Sequence, residues 1–247
     1  MQPRWPAMSP AEHAAALARV SASRSPQDAI AAFAGGALPH TILSCCQGVL
    51  LDMLSTRAVL PLRATCRDAV AAVAAHPWDD LRTVIRGNVG PALLPPGPRT
   101  QKGAWRGCFP RARSANVSGY TEKYNPYGRR TQIVDADFVH LVGLGRLNMS
   151  SCTSVTDAAF VRLPGIQSLN MSFCNQSTIT DAAFVPLAGI QSLCMRGCNQ
   201  DTITDAAFVP LVDIQRLYMF FCHYARVSAA RALGLPVDTT PRARAAD

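Results

Sequence analysis

The side chains able to do chemistry recur along this chain at fixed intervals. Cysteine stands at positions 152, 174, 198 and 222, in steps of 22, 24 and 24. Aspartate stands at 135, 157, 181 and 205, with a further one at 213. Thiolates can serve as nucleophiles or metal ligands, and paired carboxylates can share acid–base work. The spacing argues against both uses. One cysteine per repeat is a single structural position used four times, and there is no Cys-x-x-Cys pair. The first four aspartates each open a helical stretch, where an acid complements the positive helix end. The five histidines (13, 40, 76, 140, 223) sit in unrelated contexts. His223 adjoins Cys222, but that cysteine occupies the ladder's buried position. A nucleophile elbow, a phosphate-cradling Gly-rich loop and a His-Glu-x-x-His motif are all missing from the sequence. No catalytic residue, metal or cofactor is expected.

The elements that carry these residues are themselves repeated. Copies begin at Leu144, Ile166, Ile190 and Ile214; the second and third read IQSLNMSFCNQSTITDAAFVPLAG and IQSLCMRGCNQDTITDAAFVPLVD. A period in this range is the mark of a stacked array, because one copy cannot bury its own apolar face. In Ser168-Leu169-Asn170-Met171-Ser172 apolar and polar residues alternate, which predicts a short strand with Leu169 and Met171 inward. Cys174 and Ile179 turn inward after it, and Thr180-Asp181 opens a helix with a capping hydroxyl. Phe184, Leu187 and Ile190 give that helix its inward face. Strands are expected near residues 115, 147, 169, 193 and 217. Between the first two, about ten extra residues at Thr121–Arg130 read as a surface insertion. Where the third copy has Thr204-Asp205-Ala206-Ala207-Phe208, the last has Ser228-Ala229-Ala230-Arg231-Ala232, which suits a capping copy.

The rest of the chain has a different composition. Residues 1–37 are an Ala-rich extension with helix starts at Ser9-Pro10 and Ser25-Pro26. Residues 38–86 read as three helices, the last spanning Val70 to Leu81 and interrupted near its end by His76-Pro77-Trp78. Residues 87–111 read as a Pro/Gly-rich basic linker, 112–235 as about five repeats, and 236–247 as a disordered tail. The net charge is +8, and ten Lys or Arg fall between Arg82 and Arg130 against Glu122 alone. Such a stretch can bind polyanions, but its charges are scattered and accompany no nucleic-acid-binding motif, so a solvated connector is the favoured reading. No apolar run approaches the roughly 18–20 residues of a membrane span. The N-terminus lacks the apolar core of a secretory signal. An intracellular protein, cytoplasmic or nuclear, with reduced cysteines is expected. The Asn-x-Ser sequons at Asn116, Asn148, Asn170 and Asn175 are then coincidences of the repeat wording.

The recurring Ile/Val-Thr-Asp-x-x-Phe-x-x-Leu and Leu-x-Met-x-x-Cys resemble the cysteine-containing subclass of leucine-rich repeats. Residues 38–84 resemble an F-box: Leu38-Pro39-x-x-Ile42-Leu43 looks like its opening, Leu60-x-Leu62-Arg63-Ala64-Thr65-Cys66-Arg67 like its Cys-Arg helix, and Pro77-Trp78 like its closing tryptophan. The wording is also similar to the F-box-like proteins of large DNA viruses of amoebae, in which case the site of action is the host cell. The resemblance implies an α/β chain with a small helical domain followed by a solenoid. Parallel strands line the concave face of that solenoid, and helices its convex face. It also implies a division of labour in the ubiquitin-conjugation pathway. Leu38, Pro39, Ile42, Leu43 and Leu62 would dock on a Skp-type adaptor and, through it, a cullin, while the repeats hold a target protein. Against this, Cys45-Cys46-Gln47-Gly48 interrupts the first helix, where Gly costs about 1 kcal/mol. A repeat-based interaction module that no longer reaches a ligase is the alternative.

Outward strand positions are where a target would bind. The first three rows (Ser114, Asn116, Ser118; Arg146, Asn148, Ser150; Ser168, Asn170, Ser172) are mostly small and polar. The last two (Ser192, Cys194, Arg196; Arg216, Tyr218, Phe220) bring in types favoured at binding hot spots. Arg196, Arg216, Tyr218 and Phe220 are the candidate target-binding residues. In the alternative, Tyr218 and Phe220 pack beneath the C-terminal tail as a cap.

Overall fold

A computed structural model describes residues 51, 54, 56, 59–60, 67–81, 85, 101–119 and 133–240. The proposed adaptor-docking residues Leu38, Pro39, Ile42, Leu43 and Leu62 lie outside the described residues. So do the Ala-rich extension and the insertion at Thr121–Arg130. The chain divides into two compact bodies. One comprises Met1–Trp78 with Cys108–Arg111, and the other Asp79–Gly107 with Ala112–Asp247.

In the first body, helix α1 spans Arg67–Ala75. The sequence reading started this helix at Val70 and carried it to Leu81; it stops at Ala75 because Pro77 supplies no N–H and disfavours helical geometry before it. Trp78 then folds back. Its indole N–H donates to the Val73 carbonyl at 2.8 Å, and its ring meets Phe109 edge-on at 5.5 Å.

The second body is an α/β assembly around one six-stranded parallel sheet in sequential order. The strands are β1 (Ser114–Asn116), β2 (Arg146–Asn148), β3 (Ser168–Asn170), β4 (Ser192–Cys194), β5 (Arg216–Tyr218) and β6 (Val237–Asp238). Register follows the sequence repeat: Leu147 pairs with Leu169, Leu169 with Leu193, and Leu193 with Leu217. The first five strands lie where alternation places them. β6 falls in the stretch read as disordered tail: the Leu217 N–H donates to the Pro236 carbonyl at 3.3 Å and the Met219 N–H to the Asp238 carbonyl at 2.9 Å.

Each of the first five strands is followed by a short helix. Three of these are 3₁₀ helices, Asp135–His140, Asp181–Leu187 and Asp205–Leu211. Pro186 and Pro210 sit inside the last two, which keeps them from lengthening as α-helix. Asp157–Phe160 is a single α turn. The last copy instead forms a nine-residue α-helix, Tyr224–Ala232. The core is a set of ladders: Leu147, Leu169, Leu193 and Leu217 beside Met149, Met171, Met195 and Met219, capped by Phe138, Phe160, Phe184 and Phe208, all fully buried. Successive helices pack on one another.

Part of the expected linker is also structured. Gln101–Cys108 is helical and its Trp105 is buried. Arg106 donates to the carbonyls of Ala112 (3.0 Å) and Val142 (2.9 Å), and Arg111 donates to that of Ala75 (3.2 Å). These two cations of the basic stretch therefore carry structural bonds. Asp79–Leu81, read as the end of a helix, runs beside β1. Ser114 donates its hydroxyl to Asp79, the Asn116 amide donates to the Leu81 carbonyl at 2.7 Å, and the Ile85 N–H donates to the Asn116 carbonyl at 2.7 Å.

Candidate functional site

The recurring residues are consumed by bonds between copies. Each ladder thiol donates to a carbonyl of the copy before it: Cys152 to Val117 (3.4 Å), Cys174 to Met149 (3.3 Å), Cys198 to Met171 (3.2 Å) and Cys222 to Met195 (3.1 Å). Burial pushes the Cys174 thiol up to about 12 and that of Cys198 well above its ordinary value. A thiol held protonated in this way is a poor nucleophile. The aspartates reach the other way. Asp135, Asp157 and Asp181 each accept two bonds from the next copy's threonine, one from its N–H and one from its hydroxyl, at 2.6–2.8 Å. Those threonines (156, 180, 204) in turn cap their own helices by accepting from the N–H two residues on. Among the described residues no group of three or more His, Cys, Asp or Glu is placed to hold a metal ion.

The outward face of the sheet changes character along its length. At its start it is sealed. Ser114 and Asn116, expected to face outward, are buried under Asp79–Leu81. Arg146 pairs with Asp79, its Nε donating to Oδ1 at 3.0 Å, and this bond holds the Asp79 carboxyl below its ordinary value. Asn148 and Asn170 accept through their side-chain oxygens from the N–H groups of Ser150 and Ser172 two residues on, closing the turn after each strand. Cys194 takes the corresponding place in β4. Alternation puts it outward, yet it is only 5% exposed, with its sulfur 3.1 Å from the Ser172 hydroxyl and Tyr218 paired beside it.

Toward the far end the face opens. Arg216 is exposed, and Tyr218, Arg196 and Phe220 are half-buried. Strand β6 pairs with β5 beside Tyr218, and the tail beyond Thr240, to which the capping alternative appeals, lies outside the described residues. The structure brings Arg196 and Phe220 together and adds two rings. The guanidinium carbon of Arg196 lies 5.4 Å from the Phe173 ring centre, 5.2 Å from that of Phe220 and 5.4 Å from that of Phe221. These are cation–π distances. Sequence reasoning missed Phe173 and Phe221 because alternation continued past the strand points them inward. Both have left-handed backbone, φ 61° and 63°, which turns the side chain out. The signal was available: each precedes a ladder cysteine, at a position that reads Ser151, Phe173, Gly197 and Phe221 in successive copies. Gly197 is there for space as well as for its φ of 66°, since a Cβ would stand 2.6 Å from the Phe173 ring.

Arg226, which sequence reasoning also missed, ties the last copy to the one before it. Two copies earlier, Gln176 donates to the carbonyls of Cys152 and Val155. At the last copy Arg226, 7% exposed, donates to the carbonyls of Cys198 (3.2 Å) and Gln200 (2.6 Å), with Asp201 at 3.5 Å. Among the described residues no helix is long and apolar enough to cross a membrane. The six described cysteines are not joined in disulfides. No protein-family profile matches the chain, and no curated protein matches it.

Proposed function

We propose that the chain is an F-box-like leucine-rich-repeat protein of the cysteine-containing subclass, and that it serves as the substrate-recognition subunit of a ubiquitin ligase. In this reading the N-terminal segment docks on a Skp-type adaptor through Leu38, Pro39, Ile42, Leu43 and Leu62. The adaptor links to a cullin, and the strand face of the solenoid holds a target protein. The protein is a receptor and performs no chemistry of its own. One observation carries the receptor half of this reading. The letters shared by all copies are spent on the core and on bonds between copies, while the letters that vary gather Arg196, Arg216, Tyr218 and Phe220 on the open end of one face. Arginine and aromatic residues on an exposed face favour protein association. The ligase half rests on the Leu-Pro…Ile-Leu, Cys-Arg and Pro-Trp wording of residues 38–78.

Capture by purified adaptor tests the ligase half. The full chain is expected to retain the adaptor, and Ile42→Asp with Leu43→Asp to abolish retention while the melting transition of the repeats is unchanged. If the wild-type chain does not bind adaptor, the ligase assignment fails and the interaction-module alternative stands.

A further inference from the structure

Three of the arginines on the repeats have very different surroundings. Arg146 is paired with Asp79, and Arg226 is buried on backbone carbonyls beside Asp201. The Arg196 side chain has neither a hydrogen bond nor an ion pair among the described residues. Its Nε is sealed from solvent without an acceptor. Three phenyl rings surround its guanidinium, and two of them are themselves open to solvent: Phe221 is 61% exposed and Phe173 37%. Rings on several sides remove water from the cation and orient it, leaving N–H donors for a planar acceptor. A carboxylate fits such a fork with two parallel bonds, and a lowered local dielectric strengthens the pair. Arg216 is a second exposed cation without an acidic partner among the described residues. It lies on β5 four residues before Phe220, whose carbonyl accepts from the Gly197 N–H beside Arg196 at 2.9 Å. At about 3.3 Å per residue the backbone positions of the two arginines are roughly 13 Å apart along the strand direction, with Tyr218 between them.

We propose that this cluster recognises an acidic side chain flanked by apolar residues, within an extended segment of a partner protein. The carboxylate pairs with Arg196, and its apolar neighbours cover Phe173 and Phe221. A second acid about four residues away along the segment reaches Arg216. A single guanidinium in a ring of phenyls matches a single negative charge. This inference rests on reading the strand face as a docking surface and is independent of adaptor binding.

The test is to pan a random dodecapeptide phage library on the full-length chain. The best peptide is then titrated by fluorescence anisotropy. Enriched peptides are expected to share an Asp or Glu beside an aromatic or aliphatic residue. Replacing that acid by its amide weakens binding tenfold or more, a change that needs no protein variant. Arg196→Ala and Arg196→Lys weaken it by a similar factor, Phe221→Ala by several-fold, and Arg162→Ala on the helix side not at all. Absence of enrichment, enriched peptides without an acid, or affinity unchanged by the amide replacement would each overturn the proposal. Tenfold tighter binding of a phosphoserine version would reassign the site to phosphate. Self-association of the wild-type chain that Arg196→Ala abolishes would reassign it to a second copy. Adaptor capture, run separately, shows whether a failure belongs to this site or to the ligase reading.

Discussion

The Asp–Thr ladder makes a sharp prediction because the protein contains its own control. Asp181 accepts from both the N–H and the hydroxyl of Thr204 at 2.6 Å. Asp205 carries the same letter one copy later. An offset of 23 residues from it reaches Ser228, in the middle of the last helix, and no such bond forms there. Asp181→Ala removes two charge-assisted bonds. Hydrogen bonds to charged groups contribute roughly 1.5–3 kcal/mol each when buried. These are solvent-exposed, so water replaces much of what is lost, and about 1.5–2 kcal/mol for the pair is the expected cost. For a body of this size that lowers Tm by roughly 3–8 °C. Asp205→Ala loses only its place near a helix start, about 0.3–1 kcal/mol. Urea denaturation of both variants, with a double-mutant cycle of Asp181→Ala against Thr204→Ala, measures the difference. A coupling energy below about 0.5 kcal/mol, or equal losses in the two Asp variants, would refute the claim that the ladder fastens one copy to the next.

Three further outcomes follow from the same structure. Leu193→Asp places a carboxylate where Leu193 is fully buried; a large-to-small loss of about 2–5 kcal/mol plus an uncompensated charge should unfold the repeats, and a melt within a few degrees of wild type would show the inward assignment to be wrong. The Cys174 thiol is raised from an ordinary value of 9.0 to about 12, so its contribution is fully present below pH 9 and is lost as pH rises toward 12. The stability gap between wild type and Cys174→Ala should therefore narrow by up to about 1.4 kcal/mol per pH unit above pH 9, read from urea midpoints at pH 8, 9.5 and 10.5. The Asp79 carboxyl is lowered from 3.8 chiefly by its bond from Arg146, so its contribution is present above pH 3.8 and disappears as pH falls below that. Since both partners are partly exposed, Asp79→Asn should cost about 1 kcal/mol or less at pH 7, and the gap between the two proteins should shrink as pH falls below 3.8.

The sheet was legible in the sequence because alternation and period agreed at Leu147, Leu169, Leu193 and Leu217. Where they failed, a local cause is visible. β6 is two residues long and leaves no alternating pattern to read. Phe173 and Phe221 follow the strand by three residues, and a single left-handed residue reverses which face receives the ring. Cys194 obeys the alternation but is small enough to be covered by its neighbours Ser172 and Tyr218. Thr-Asp marks the starts of the helices at Asp157, Asp181 and Asp205, yet two of these, each with a proline inside, are 3₁₀. Arg226 lies in the one copy that departs from the pattern, so no repeat alignment points to it.

The thiol–carbonyl and Asp–Thr bonds join residues about one period apart, and both use letters that the second and third copies share. An inserted duplicate of residues 166–189 would keep those bonds on both sides and carry its own Phe173 over Gly197, but the original Phe173 would then meet a phenylalanine where it now meets a glycine. It would move the Arg196 cluster farther from β1 by one strand spacing, about 4.8 Å. The array thus behaves as a ruler with discrete marks. A lineage carrying such a gene could reset the reach between its first strand and the Arg196 cluster by unequal recombination, once the original Phe173 had given way to a small residue such as the serine at 151.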